Sequence, residues 1–170
     1  MEQWDLLDGQ GRPTGETMMR GERLRAGQYH LVVHIWILDG AGRVLLQRRA
    51  SHLKLMPGMW AVTGGSAVAG EDSPAAARRE LREELGIDAG PDGLEFMGRL
   101  RRRNSICDLW LLRREVDASS LQLQKEEVAD ARWMTWEEMM KMVEDKSFHH
   151  YGKEYFDAVY AYLYGESKTK

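Results

Sequence analysis

The chain has 170 residues, enough for one domain with a true hydrophobic core. Hydrophobic residues make up 43% and charged residues 30%, and 24 Lys and Arg against 27 Asp and Glu leave a formal net charge of -3. That balance gives no bulk electrostatic drive toward a nucleic acid or a membrane, although it leaves room for a local phosphate-seeking patch. The lone cysteine, Cys107, excludes a disulfide framework and a multi-cysteine zinc site. The most apolar stretch, residues 31–38, is broken by His34 and is too short to span a bilayer. The acidic N-terminus lacks the apolar core of a signal peptide. A cytoplasmic, globular protein is expected.

In chain order, residues 4–8 alternate weakly before a Gly9-Gln10-Gly11 turn, which predicts an N-terminal β-hairpin. Residues 18–24 read as a helical turn or a loop. Residues 29–38 are rich in β-branched and aromatic side chains and predict a buried strand. A turn at 39–42 and a second strand at 43–49 suggest an antiparallel pair. A loop at 51–58 carries Lys54 and Pro57-Gly58, and a short strand follows at 60–63, ending on Gly64-Gly65. Ser73-Pro74 opens a helix, the serine as N-cap and the proline as first helical residue, and Gly86 stops it. Strands are predicted at 94–100, 106–112 and 128–134. Thr135-Trp136-Glu137-Glu138 is a capping-box pattern that starts a helix to 144. A last helix over 151–164 places Phe156, Val159, Tyr160 and Leu163 on one face. No repeat or linker divides the chain, so residues 1–165 are read as a single α/β (α+β) domain with a polar, frayed tail at 166–170.

The chemistry concentrates between Gly65 and Ile87. Glu80, Glu83 and Glu84 stand at i, i+3 and i+4 and share one helix face. Like charges at that spacing repel by a few tenths of a kcal/mol per pair, about 0.2–0.5. A hard cation such as Mg²⁺ or Mn²⁺ would offset the repulsion. A solvated acidic face is the alternative.

The spacing around these acids is more specific. It reads G-x5-E-x7-R-E-U-x-E-E-x-G-U, with U apolar, and every position matches. Seven fixed identities arise by chance in a chain this long on the order of once in a million. The chain therefore resembles the Nudix superfamily across roughly residues 28–145. The resemblance implies a mixed sheet sandwiched between helices and hydrolysis of a nucleoside diphosphate linked to another moiety, or a similar diphosphate. By matching position, Glu83 and Glu84 look like metal ligands and Glu80 a ligand or the general base. Glu71 looks like the partner that holds Arg79, and Gly64 and Gly65 let the backbone approach substrate and metal. The chemistry so implied is a cation that neutralises diphosphate oxygens and a carboxylate that takes a proton from attacking water. Glu126 or Glu127 could supply a further ligand or the base, or belong to a solvated turn.

Tyr29-His30, Leu45-Leu46-Gln47-Arg48-Arg49, Lys54 and Pro57-Gly58-Met59-Trp60 look like isopentenyl-diphosphate isomerases and their hydrolase-like bacterial relatives. Gly64 stands where those isomerases carry a catalytic cysteine, and Ser66 where they carry a metal-binding histidine. Residues 103–107 hold no acid where their catalytic glutamate lies. Isomerisation needs a proton donor and acceptor across the substrate, so these departures disfavour it. A nucleotide-sensing module without turnover would show eroded glutamates, and none is eroded here.

Arg49 and Lys54 could grip a diphosphate or be solvated charges. Arg101-Arg102-Arg103 reads as a surface run with phosphate contact as the minor alternative. His34 reads as a hydrogen-bonded core or rim residue. Met134, Met139, Met140 and Met142 read as core filler, His149 and His150 as structural, and Cys107 as buried. The partner is a small-molecule diphosphate; a nucleotide sugar, a dinucleoside polyphosphate, an oxidised nucleoside triphosphate and a prenyl-type diphosphate all stay open. Neither a nucleic acid polymer nor a membrane is expected. A homodimer is the base-rate expectation.

Overall fold

The computed structural model describes residues 1–165; the tail expected to fray, 166–170, lies outside the described residues. Strand β3, His30–Leu38, organises the molecule. Its residues alternate between two apolar layers, as the period of a strand requires. Val33, Ile35 and Ile37 pack toward Ala76, Ala77, Leu81 and Leu85 of helix α1, Ser73–Leu85. Trp36 and Leu38 pack toward Met139 and Val143 of α2, Trp136–Glu144, and Phe156, Val159 and Leu163 of α3, Lys153–Tyr164. Burial on both faces explains why this strand reads as a nearly continuous apolar run.

Among the described residues the sheet has seven strands. On one side of β3, strand β8, Ser105–Arg113, pairs in parallel from His30↔Ser105 to Leu38↔Arg113. β7, Leu94–Arg101, closes that edge antiparallel to β8. On the other side β6, Thr63–Ser66, pairs antiparallel with β3 from Val32↔Ser66 to Ile35↔Thr63. The expected β3–β4 pair is reduced to one contact, Leu38↔Val44, because β6 occupies that edge of β3. Strand β4, Val44–Arg49, pairs instead with β5, Trp60–Ala61, and β9, Val128–Met134. The single strand expected at 60–63 is accordingly two strands, divided at Val62 where the chain leaves β4 for β3.

The expected N-terminal hairpin forms from β1, Gln3–Leu7, and β2, Pro13–Met19, so the helical turn considered from residue 18 is strand there. Its Leu7 exchanges backbone hydrogen bonds of 2.8 and 3.0 Å with Tyr29. The chain entering α1 is tied to the same hairpin: Ala69 N–H donates to Gln3 O and Gly70 N–H to Asp5 Oδ2, each at 2.7 Å. Among the described residues no helix is long and apolar enough to cross a membrane.

The capping box of α2 is present, with Glu138 N–H on Thr135 Oγ1 at 3.1 Å and Thr135 N–H on Glu138 Oε2 at 2.8 Å. Gly86 stops α1 in the left-handed conformation, φ 69°. The N-cap of α1 is a correction. Asp72, not Ser73, accepts from Ala75 N–H at 2.9 Å, while Ser73 Oγ accepts from Trp110 Nε1 at 3.0 Å. Both residue types cap well, so composition alone could not choose between them. Asp72→Ala is therefore expected to cost about 1 kcal/mol in urea denaturation. An unchanged midpoint would show that the cap contributes nothing. The last helix begins at Lys153 rather than 151. Tyr155 joins Phe156, Val159 and Leu163 in the core, while Tyr160 is only half-buried.

Candidate active site

Helix α1 and strand β6 face each other across a cleft of about 390 Å³. The helix delivers Glu80, Glu83 and Glu84 to it, and the strand delivers Gly64 and Gly65. The glycines are matched to what they face. A Cβ at 64 would press into the Val33 carbonyl oxygen, and one at 65 into the Glu80 carboxylate. Glu84 is only 7% exposed. Its Oε2 accepts from Gln47 Nε2 at 2.7 Å and from Gly64 N–H at 3.3 Å. Burial pushes its carboxyl up to about 8, with the Glu80 charge adding, against the two hydrogen bonds. Burial likewise raises Glu80 to about 7, opposed by Arg79 and reinforced by Glu83 and Glu2.

Arg79 ties the signature together. It holds Glu71 by two bonds, Nε to Oε1 at 2.8 Å and Nη2 to Oε2 at 3.0 Å. It also reaches Glu80 Oε1 at 3.0 Å, Glu83 Oε2 at 3.1 Å and the Ser66 carbonyl at 3.1 Å. One planar guanidinium thus fixes the loop, two helix acids and the end of β6. Burial alone would raise Glu71, but the Arg79 bond and the Val68 amide hold it below its ordinary value. The Glu71 bond in turn raises Arg79.

Glu127 reaches the cleft because its loop is stitched to neighbours on both sides. Gln124 N–H donates to Glu84 O at 3.1 Å, and Ala50 N–H to Glu127 O at 2.9 Å. Glu126 is not part of the cleft lining. Arg49 lines the cleft and donates from Nε to Leu55 O at 3.1 Å. That contact folds the 51–58 loop so that Leu55 and Met56, rather than Lys54, face the cleft. Lys54 stands outside it, exposed.

Four contributors to the lining carry no sequence motif. Glu2 and Arg20, ion-paired at 2.9 Å, come from the two ends of the N-terminal hairpin. Tyr151, just ahead of α3, accepts from Val62 N–H at 3.2 Å and carries the Arg102 guanidinium 5.6 Å above its ring. His34 belongs to a buried relay. Trp36 Nε1 donates to Tyr155 Oη at 3.2 Å, and the Tyr155 hydroxyl lies 2.7 Å from His34 Nδ1. Burial first, with Arg102 and His149 adding, lowers His34 to about 3, so the ring is neutral. The Tyr155 contact fixes the orientation of this neutral ring, which joins the cleft lining. His149 N–H donates to Trp60 O at 3.0 Å, Met134, Met139 and Cys107 are buried, and Met140 and Met142 are partly buried against the same core.

Among the described residues, no three acidic, histidine or cysteine side chains are already gathered about one point as a metal cluster. The donor set nevertheless fits a hard divalent cation. Mg²⁺ takes only one or two protein carboxylates and fills the rest of its octahedron with water and substrate phosphate. Glu80 and Glu84, one helical turn apart and both pushed above the ordinary carboxylate range by burial, form such a pair.

The profile of the NUDIX domain matches residues 28–156. The Nudix hydrolase lmo0368 of Listeria monocytogenes is 42% identical over 140 residues, covering 82% of this chain and 83% of that protein. An isopentenyl-diphosphate Delta-isomerase of Mycolicibacterium vanbaalenii is 32% identical over 149 residues, covering 82% of this chain and 80% of the isomerase. The crystal structure of DR0079 from Deinococcus radiodurans superposes with a TM-score of 0.74 over 85% of this chain and 90% of that one. Its sequence identity of 21% makes it a likeness of fold alone. With a profile match over most of its length and a relative at 42% identity, the chain belongs to the Nudix hydrolase family.

Proposed function

We propose that this enzyme hydrolyses the diphosphate linkage of a small molecule, using Mg²⁺ or Mn²⁺ and water attack on phosphorus, in the cytoplasm. The observation that carries the reading is the buried Glu84 and half-buried Glu80 set against a β6 backbone stripped of side chains at Gly64 and Gly65. Glu84 and Glu80 would hold the cation, with Glu83 completing the acidic face. When bound, the cation neutralises diphosphate oxygens and acidifies water. Glu127, which lines the same cleft, would accept the proton of the attacking water, and Glu80 is the alternative base. Arg49 binds a diphosphate oxygen, and Gly64 and Gly65 let the substrate lie close to the backbone. Glu71 and Arg79 act through the groups they position.

The isomerase relative raises the second reading, allylic rearrangement with the diphosphate kept. It is disfavoured by the backbone at Gly64. Any side chain there, a thiol included, would collide with Val33 O. The test is ³¹P NMR in ¹⁸O-water with the full chain. The panel is a nucleotide sugar, a dinucleoside polyphosphate, an oxidised nucleoside triphosphate and isopentenyl diphosphate, each with Mg²⁺, Mn²⁺ or EDTA. The expected result is metal-dependent cleavage of one class, with ¹⁸O entering a phosphate product. Rearranged product with intact diphosphate, or no turnover of any member, would overturn the proposal.

A further inference from the structure

A second recess lies at the start of β3, beside the carboxylate cleft and with a lining of its own. The 20–29 segment, the start of β3 and the turn between β7 and β8 enclose an open cavity of about 770 Å³, larger than the cleft. Its wall carries three exposed guanidinium groups, from Arg23, Arg25 and Arg103. None of the three side chains makes an ion pair or hydrogen bond among the described residues. The one acid in the wall, Glu22, accepts from the Met19 N–H at 3.0 Å and pairs with none of the three arginines. Arg20, at the boundary with the cleft, is paired with Glu2. Three arginines against one acid line this cavity in a chain whose net charge is -3.

The remaining wall is a stacked aromatic pair. Trp4 lies on His30 with ring centroids 4.1 Å apart and planes 7° from parallel. His30 is 9% exposed, and both its Nδ1 and Trp4 Nε1 lack a hydrogen-bond partner among the described residues. The stack supplies a flat, largely apolar wall beside the arginines. Burial and the Arg20 charge lower His30 to about 4, so the positive charge of the recess belongs to its arginines. Guanidinium forks match the oxygens of a phosphate in charge and geometry.

We propose that this cavity is a separate binding site for a phosphate-bearing ligand, held by Arg23, Arg25 and Arg103 beside the Trp4–His30 stack. The site stands independently of the hydrolytic reading. In metal-free conditions the Glu84→Gln variant, altered in the cleft and not in the cavity, separates binding at the two places. The phosphate is either the distal end of a substrate that passes the Glu2–Arg20 bridge or that of a distinct effector.

The test is isothermal titration calorimetry of the full chain with inorganic pyrophosphate, in EDTA and low salt. One pyrophosphate is expected to bind the wild type and the Glu84→Gln variant alike. Affinity should fall about tenfold for each guanidinium removed in the series Arg23→Ala, Arg25→Ala, Arg103→Ala. These side chains are exposed, so the variants are expected to keep the wild-type melting temperature. No binding by the metal-free wild type, or a triple variant that binds as the wild type does, would overturn the proposal. Kinetics of the triple variant in Mg²⁺ then assign the source. A raised KM at unchanged kcat makes the phosphate the substrate's own. An unchanged KM, with loss of a rate response to added pyrophosphate, makes it an effector's.

Discussion

Glu84→Gln is expected to lower metal-dependent turnover by about a thousandfold while the protein stays folded. The substitution keeps the shape of the side chain. The amide oxygen of the new residue can still accept from Gln47 Nε2 and Gly64 N–H, the two bonds that fix Glu84 now. What disappears is the negative charge that, on our reading, holds the cation. Stability should move the other way. Burial raises the Glu84 carboxyl from its ordinary 4.5 to about 8 in the folded protein. A raised carboxyl binds its proton more tightly folded than unfolded, so the metal-free protein loses stability as pH climbs from about 5 to about 8. Thermal melts in EDTA should show that decline in the wild type and a flatter profile in Glu84→Gln. Turnover that survives in a folded Glu84→Gln protein would remove Glu84 from the catalytic set.

Gly64→Ala and Gly65→Ala should separate fold from function, although the two changes are neighbours and chemically identical. The methyl group at 64 meets the Val33 carbonyl oxygen and, at 3.0 Å, His34 Cδ2. Val33 is backbone of the central strand and has nowhere to go. A loss of about 2–3 kcal/mol in urea denaturation is expected. At 65 the methyl group meets only the Glu80 carboxylate, the free end of a flexible side chain. Glu80 can swing aside, so stability should change by less than about 1 kcal/mol. The displaced Glu80 leaves its contact with Arg79, and turnover should drop about 10- to 100-fold. Equal stability losses at both positions would contradict this account of what each glycine faces.

Much of the site was legible because its chemistry is local. Glu80, Glu83 and Glu84 share a helix face through spacing alone, and Glu71 reaches Arg79 across the first turns of the same segment. The strands and helices were legible for the same reason, since each has its own periodicity and caps. What sequence left open was set by contacts between distant segments. Residue adjacency suggested that β4 would pair along β3, but β6 claims that edge from about 30 residues further on. Glu2 and Arg20 enter the cleft only because the hairpin docks on Tyr29 and on the chain before α1. No local pattern announces that. The choice between Lys54 and its neighbours Leu55 and Met56 depended on one bond from Arg49 to a loop carbonyl. Gln47 carried a faint signal, an amide set in an otherwise apolar stretch of β4, and its partner proves to be Glu84.

The placement of β3 also governs how the enzyme can come apart. One face of the strand supplies His34 to the carboxylate cleft, and the other supports the helix that carries the glutamates. Its edge holds the glycine strand opposite them. Wall, floor and acidic helix therefore belong to a single cooperative unit, whose backbone amides are shielded until the whole core opens. The N-terminal hairpin is attached by backbone bonds at Leu7, the Trp4–His30 stack and the buried Leu6, Leu7 and Met18, a smaller set of contacts than the central sheet makes, so it is expected to open at lower free energy. Fluctuations that admit or release a bound molecule thus have a cheap route at the rim, one that leaves the reacting groups in register.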